Sequence, residues 1–232
     1  MNLKYLNLFS KKYKKVLAFD GGGVRAIMGV YFLKRLELET SKTIFESFDL
    51  FIGTSAGATN ALILAMNGST TNDLEDFWTV ENLKKIMNQS FIDRTSIFQT
   101  RPKYSNVGKK EVLTEFFGKR KIGESLKPVV VTAYDLEERK PILLSSYKNP
   151  DTLAVNAANA SSAAPIYFPT ANMEDGKWLI DGGIATNNPS LLGYVEAKKL
   201  FATNNIKVLG IGAGLNKRKI NGKHSRNWGA LG

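Results

Sequence analysis

The residue whose surroundings point most directly to chemistry is Ser55, at the centre of the segment Gly53-Thr54-Ser55-Ala56-Gly57. The GxSxG spacing is that of a nucleophile elbow, a sharp turn between a strand and a helix that presents a serine Oγ at its tip. Such a serine normally transfers its proton to a histidine. The only histidine of the 232 residues is His224, in a basic, glycine-containing segment that we expect to be exposed. A Ser-Lys dyad has one formal match, Ser145 to Lys148, without a supporting partner motif.

Asp181 is the best-placed alternative base. It follows the apolar stretch Trp178-Leu179-Ile180 and precedes Gly182 and Gly183, so we expect it at the end of a strand, where open α/β sheets gather functional groups. A free aspartate, with a pKa of about 3.9, is a poor base for an alcohol. Burial beside Ser55 would raise that pKa. An Asp-Gly-Gly segment taken alone indicates only a turn.

A second group of candidate residues is the run from Asp20 to Ala26, which contains Gly21, Gly22 and Gly23. Successive N–H groups without side chains suit an oxyanion hole, whose donors lie about 3 Å from the oxyanion. The run also fits the dinucleotide fingerprint GxGxxA, which requires an acidic residue closing a second strand about twenty residues later. Residues 36 to 42 continue a helix instead. We rank the oxyanion hole first, a tight turn second and a nucleotide site third.

These candidate residues need a framework of parallel strands. Val16 to Phe19 and Leu50 to Ile52 are short apolar strands, and a glycine-containing turn and a helix follow each of them. Two such units in succession imply parallel strands with helices packed on the sheet. The helices are predicted at 27–38, 56–66, 151–160 and 190–201, with further strands at 128–133, 142–144, 178–180 and 208–211. The polar segment 67–108 indicates an insertion or lid with short helical pieces at 73–78 and 82–87.

The composition is that of one α/β domain of substantial size. Hydrophobic residues make up 43% of the chain, enough for a core. The absence of cysteine excludes disulfides, thiolate zinc sites and cysteine nucleophiles. We divide the chain into a basic N-terminal extension, residues 1–14, and one domain, residues 15–232. No stretch has the length of a membrane span or the pattern of a signal peptide, so we expect a cytoplasmic protein, with signal-independent export left open.

The formal charge of +11 favours negatively charged partners, either anionic lipid surfaces or nucleic acid. The basic clusters are scattered along the chain and lack the aromatic residues and modules of nucleic-acid binding. They lie at 11–15, 109–110, 119–121 and 217–223. We therefore expect peripheral contact with anionic membranes and no nucleic-acid partner, with a merely solvated basic surface as the alternative.

Four segments in this order and spacing resemble the patatin-like phospholipase family: 20–25, 53–57, Ala160-Ser161-Ser162-Ala163-Ala164-Pro165, and 181–183 followed by Asn187-Asn188-Pro189. The resemblance covers the chain from about residue 15 to its end. It implies a three-layer α/β/α sandwich with a mainly parallel central sheet. It also implies a serine acyl hydrolase, of the phospholipase A or lysophospholipase type, that cleaves lipid esters through an acyl-enzyme without metal or organic cofactor.

At the matching positions, the resemblance implies that Ser55 is the nucleophile, Asp181 the base, and Gly21 to Gly23 the oxyanion loop, with Arg25 beside it. Ala26 stands where the family usually has glycine. Because the family domain commonly runs further, the resemblance implies a domain truncated at its C-terminal end. A lipid acyltransferase and a lipid-binding or storage protein with little turnover are the alternatives. The sequence identifies no head group, acyl position or protein activator.

Overall fold

The structure is a computed structural model that describes residues 13–68, 70–88 and 101–214. Within these ranges the chain forms a seven-stranded sheet flanked by helices. The strands are β1 (Lys14–Phe19), β2 (Leu50–Thr54), β3 (Val129–Asp135), β4 (Lys140–Ser145), β5 (Ala171–Asn172), β6 (Trp178–Asp181) and β7 (Ile206–Ile211). The helices are α1 (Ile27–Thr40), α2 (Ile44–Ser47), α3 (Ala56–Asn67), α4 (Asn72–Phe77), α5 (Val80–Ile86), α6 (Val107–Phe117), α7 (Ala154–Ser161) and α8 (Ser190–Leu200).

The elements predicted from hydrophobic periodicity are present, with ends shifted by up to three residues. Helix α1 buries only part of its apolar surface. Val30 and Leu33 are buried, whereas Tyr31 and Leu38 are mostly exposed, because α1 packs at the margin of the molecule against the small helices α2 and α4. Three elements were not predicted: the helices α2 and α6 and the two-residue strand β5.

Side chains of the central strands alternate between two buried clusters on opposite faces of the sheet. Leu17 and Phe19 of β1 join the larger cluster, beneath α3, α6 and α7. Val16 and Ala18 join the smaller one, with Ala197 of α8. Helices therefore cover both faces, which confirms the predicted three-layer α/β/α arrangement. Within the described ranges, no helix is long and apolar enough to cross a membrane.

The sheet is mixed, with a parallel centre. Strands β7, β1, β2 and β3 are adjacent and parallel. Strands β4 and β6 are antiparallel to β3, and β5 is antiparallel to β6. Because β1 and β2 are parallel neighbours, with Phe19 opposite Gly53, their carboxyl ends lie side by side, and the glycine loop and the GxSxG turn emerge from these ends.

Strand β3 positions Asp181 relative to Ser55, because three strands pair with its two edges. Strand β4 pairs along residues 130–135 and so occupies one edge. Strands β2 and β6 must then share the other edge, where Thr54 pairs with Thr132 and Asp181 pairs with Ala133. They run towards each other, and their carboxyl ends meet at adjacent residues of β3. Ser55 and Asp181 are brought together at this junction.

Candidate active site

Ser55 lies in a sharp turn between β2 and α3. Its backbone has a φ of +56° and a ψ of −127°, a conformation that non-glycine residues rarely adopt and that costs about 1–3 kcal/mol. Two hydrogen bonds hold it there: the Ser55 N–H donates to Ser161 Oγ at 2.8 Å, and the Ala58 N–H donates to the Ser55 carbonyl at 2.9 Å. This is the geometry of a nucleophile elbow.

The flanking glycines, Gly53 and Gly57, allow the turn to pack tightly. A Cβ at Gly57 would lie 2.6 Å from the carbonyl oxygens of Phe19 and Asp20, at the end of β1. A Cβ at Gly53 would overlap the Gly57 carbonyl. Because these neighbours are main-chain atoms, they cannot move aside as a flexible side chain could. The two glycines are therefore required by close packing of β1 and β2 against the start of α3.

Asp181 is the hydrogen-bond partner of the serine side chain. Ser55 Oγ donates to Asp181 Oδ2 at 2.6 Å, and the Gly183 N–H donates to Asp181 Oδ1 at 2.7 Å. The Asp181 N–H in turn donates to the Ala163 carbonyl at 3.1 Å. Both carboxylate oxygens and the main chain of Asp181 are therefore fixed, and the two residues predicted as a catalytic pair are in direct contact.

The surroundings of Asp181 make it a stronger base than a free aspartate. The residue is buried, and burial raises its pKa because the charged form loses hydration. Hydrogen bonds from Ser55 and Gly183 and the charge of Lys109 oppose this rise without cancelling it. A carboxylate with a raised pKa that accepts a hydrogen bond from a hydroxyl can remove the hydroxyl proton during nucleophilic attack.

An apolar cavity of about 390 Å³ opens beside this pair. Helices α4, α5 and α6 contribute much of its wall, so part of the predicted insertion, segment 67–108, encloses the site. Phe77 and Trp78 are buried and also face the cavity. The other apolar lining residues include Leu83, Ile86, Met87, Leu113, Tyr167 and Phe168. Its volume falls in the range of ligand-binding pockets, and its lining suits a hydrocarbon chain.

The glycine loop reaches the cavity through Gly22 and Gly23. No hydrogen bond joins the N–H of either residue to another described residue, so both are available as donors. The Gly21 N–H is already used, donating to the Asn187 carbonyl at 3.0 Å, while Asn187 Nδ2 donates to the Gly21 carbonyl at 3.2 Å. Gly21 therefore anchors the loop, and the first N–H groups of α3, beside Ser55, complete a positive environment for an oxyanion.

The remaining predicted residues occupy supporting positions. Arg25 is exposed and is not among the residues that line the cavity; its N–H donates to the Gly22 carbonyl at 3.3 Å. Gly182 packs against Thr132 of β3 with no room for a Cβ. Lys148 Nζ lies 2.6 Å from Glu196 Oε2, so it pairs with a carboxylate rather than with Ser145. His224 lies outside the described residues, among which no cluster of potential metal ligands occurs.

Two contributors to the site were missed by the sequence analysis. Ser161 belongs to a segment quoted for the family resemblance, but its hydrogen bond to the Ser55 main chain spans 106 residues. Lys109 lies on α6, is 4% exposed and lines the cavity. It was interpreted only as part of a scattered basic cluster. Lys109 precedes Val112 and Leu113 by three and four residues, and this helical spacing to two apolar residues is the signal that could have suggested burial.

Comparison with known proteins identifies the family of the chain. A family model described as patatin-like phospholipase matches residues 17–192. Patatin-like protein 4 of Arabidopsis thaliana is 30% identical over 220 residues, which cover 84% of this chain and 54% of that protein. A cGAMP-activated phospholipase of Pseudomonas aeruginosa is 32% identical over 206 residues, which cover 85% of this chain and 61% of the relative.

The fold is similar to the crystal structure of VipD from Legionella pneumophila, with a TM-score of 0.59 at 15% identity, covering 94% of this chain and 53% of VipD. At that identity the likeness concerns the fold alone. The chain spans less than two thirds of the length of these relatives. The matched residues 17–192 nevertheless make up most of the chain and contain both Ser55 and Asp181. The chain therefore belongs to the patatin-like phospholipase family.

Proposed function

We propose that this chain hydrolyses carboxylic esters of lipids, with Ser55 as the nucleophile and Asp181 as the base. The observation that supports this most strongly is the 2.6 Å hydrogen bond from Ser55 Oγ to Asp181 Oδ2 at the edge of an apolar cavity. A serine in a strained turn, a buried carboxylate and free N–H groups beside them are the parts that acyl transfer requires. The cavity supplies room for the acyl chain.

In the first half of the proposed reaction, Asp181 Oδ2 accepts the Ser55 proton while Oγ attacks the ester carbonyl carbon. The oxyanion of the tetrahedral intermediate receives hydrogen bonds from the Gly22 and Gly23 N–H groups. The carbonyl then reforms, the bond to the alcohol oxygen breaks, and the departing alcohol takes the proton from Asp181. The products of this half are the free alcohol and an ester of Ser55 with the acyl group.

In the second half, water attacks the acyl-enzyme and gives its proton to Asp181. The new intermediate expels Ser55 Oγ, which recovers that proton, and the carboxylic acid is released. If an alcohol or a lysolipid replaces water, the same steps transfer the acyl group to it. Product analysis with an added acceptor alcohol separates hydrolysis, which we favour, from acyl transfer.

The substrate class proposed is a phospholipid or lysophospholipid presented at an anionic membrane surface. Val24, Met87 and Tyr167 line the cavity and are each more than one third exposed, so the opening has an apolar rim. The formal charge of +11 adds attraction to anionic head groups. Because one relative is named a cGAMP-activated phospholipase, each assay is run with and without cGAMP.

The test uses Ser55→Ala and Asp181→Asn in hydrolysis of phosphatidylglycerol vesicles, with products identified by mass spectrometry. We expect Ser55→Ala to have background activity only, and Asp181→Asn to lose about 10²–10⁴-fold in kcat. Both variants should keep the wild-type circular dichroism spectrum. Full activity in either variant would contradict the proposed roles. A wild type that neither hydrolyses lipid nor reacts with a fluorophosphonate would favour a lipid-binding or storage protein.

A further inference from the structure

Lys109 is a lysine in the interior of the molecule. Its ammonium donates to the Ser162 carbonyl at 3.1 Å, to Ser162 Oγ at 3.3 Å and to the Asn159 carbonyl at 3.4 Å. It also lies 4.1 Å from the centre of the Phe168 ring. The acceptors are grouped at the carboxyl end of α7, where main-chain carbonyls lack helical partners and the helix dipole favours a cation.

Burial of the Lys109 side chain costs free energy, because a charged group loses its hydration. Burial lowers the pKa of Lys109 to about 7, since the charged form loses hydration. Its described contacts are carbonyls, a hydroxyl and an aromatic ring rather than the oxygens of a carboxylate. A methionine or leucine would fill the same space beside the apolar cavity without removing a charge from water. The placement therefore requires an explanation beyond packing.

The segment that Lys109 holds is the one that also holds the catalytic pair. Ser161 Oγ accepts the Ser55 N–H, and the Ala163 carbonyl accepts the Asp181 N–H. Ser162, between these two residues, accepts two hydrogen bonds from Lys109. Three consecutive residues thus connect the main chain of the nucleophile, the main chain of the base and the buried ammonium.

We propose that Lys109 is a positioning residue, whose ammonium fixes the Ser161–Ala163 segment and thereby the relative placement of Ser55 and Asp181. The inference rests on the function proposed above. Positioning matters because displacement of reacting groups by about 1 Å can lower a rate about 10²-fold. Lys109 also contributes charge, since it opposes the effect of burial on the Asp181 pKa.

The charged groups around Lys109 determine the choice of a control variant for its substitution. Asp181 on β6 favours the protonated form of Lys109, and the neighbouring Lys110 on α6 disfavours it. Lys85 on α5, the helix packed against α6, is paired with Glu81 and Glu115.

Lys110 is less buried than Lys109, and the described hydrogen bonds to the end of α7 come from Lys109. Lys110→Met therefore removes the same charge one residue away while leaving the Ser161–Ala163 segment held.

The kinetic experiment compares Lys109→Met, Lys109→Arg and Lys110→Met with the wild type. For Lys109→Met we expect kcat to fall about 10–100-fold with KM changed less than about twofold. We also expect the acidic limb of its pH–rate profile to move to higher pH, because the Asp181 pKa loses the lowering by the cation. Lys109→Arg should recover part of kcat, and Lys110→Met should match the wild type. Wild-type kcat and pH profile in Lys109→Met would overturn the inference.

A second measurement needs no turnover and so separates failure of this inference from failure of the proposed function. In ¹⁵N–¹H correlation spectra, Lys109→Met should shift the amide resonances of Ser55 and Asp181, whereas Lys110→Met should leave both in place. Unmoved Ser55 and Asp181 amides in a folded Lys109→Met protein would overturn the inference, even if the wild type hydrolysed no ester. If the two amides shift in Lys109→Met and the wild type hydrolyses no ester, the positioning role is retained and the proposed reaction is rejected.

Discussion

Ser55 combines a reactive side chain with an unfavourable backbone conformation. Its φ is positive, and its Oγ donates a hydrogen bond to Asp181. The surrounding structure maintains this conformation, since the Ser55 N–H is bound to Ser161 and its carbonyl to the Ala58 N–H. The strained backbone of Ser55 therefore lowers the stability of the fold, and Ser55 is also the residue that the proposed reaction uses. Backbone strain is commonly found at functional sites.

The strain predicts that the identity of an inactive replacement at position 55 matters for stability. Ser55→Ala and Ser55→Gly both remove Oγ, but only glycine adopts a φ of +56° without a steric penalty. We expect Ser55→Gly to have a free energy of unfolding about 1 kcal/mol above that of Ser55→Ala. Urea denaturation followed by circular dichroism measures the difference. A less stable glycine variant would show that the turn is unstrained.

The raised pKa of Asp181 predicts the direction of the acid dependence of the reaction. Asp181 acts as a base only when ionised, so kcat/KM should fall as the pH falls through its pKa, which burial raises above that of a free aspartate. The measurement is the pH–rate profile of the free enzyme with a soluble short-chain ester. An activity that persisted unchanged to below the pKa of a free aspartate would exclude Asp181 as the base.

At the scale of elements, the meeting of β2 and β6 on one edge of β3 creates the site. The sequence correctly predicted Asp181 at the end of a strand, because an apolar run before Asp-Gly-Gly is a local signal. It could not predict the direction of that strand or its partner, since pairing depends on which edge of β3 remains free. The hydrogen bonds of Ser161 and Lys109 were missed for a similar reason, as their partners lie 106 and 50–53 residues away.

The close approach of β1 to α3 predicts a large effect of a small substitution. Gly57→Ala places a Cβ 2.6 Å from two main-chain oxygens, so we expect it to lower the free energy of unfolding by about 2–4 kcal/mol. Gly212→Ala is the control, because the nearest atom to its Cβ is 3.8 Å away. Thermal denaturation of the two variants gives the comparison. Equal midpoints would mean that α3 can move away from β1 at little cost.

At the scale of the whole molecule, the cavity opens on the helical layer of α4, α5 and α6, whereas α8 covers the opposite face of the sheet. The family and the layered fold were predictable, because four motifs and the strand–turn–helix repeats are local in sequence. The apolar rim was not, since Val24 and Met87 are 63 residues apart and only the folded chain brings them to one opening.

The position of the cavity opening, on the face opposite α8, predicts which face of the molecule contacts lipid. Val24→Glu and Met87→Glu should each weaken cosedimentation with phosphatidylglycerol vesicles several-fold, and binding by the wild type should decrease as salt is raised. Leu191→Glu makes the same charge change at an exposed residue of α8, on the opposite face, and should bind like the wild type. Equal weakening by all three variants would indicate that net charge alone controls binding.

The junction of β2 and β6 also has a consequence during synthesis of the protein. Ser55 and its proposed base, Asp181, are 126 residues apart in the chain, and both are held against β3, which lies between them in sequence. A ribosome-bound chain therefore contains β2 and α3 long before Asp181 has been translated. We expect nascent chains that end before β6 to be inert towards membrane lipid, so that the order of the strands itself delays the reactive state until the sheet is nearly complete.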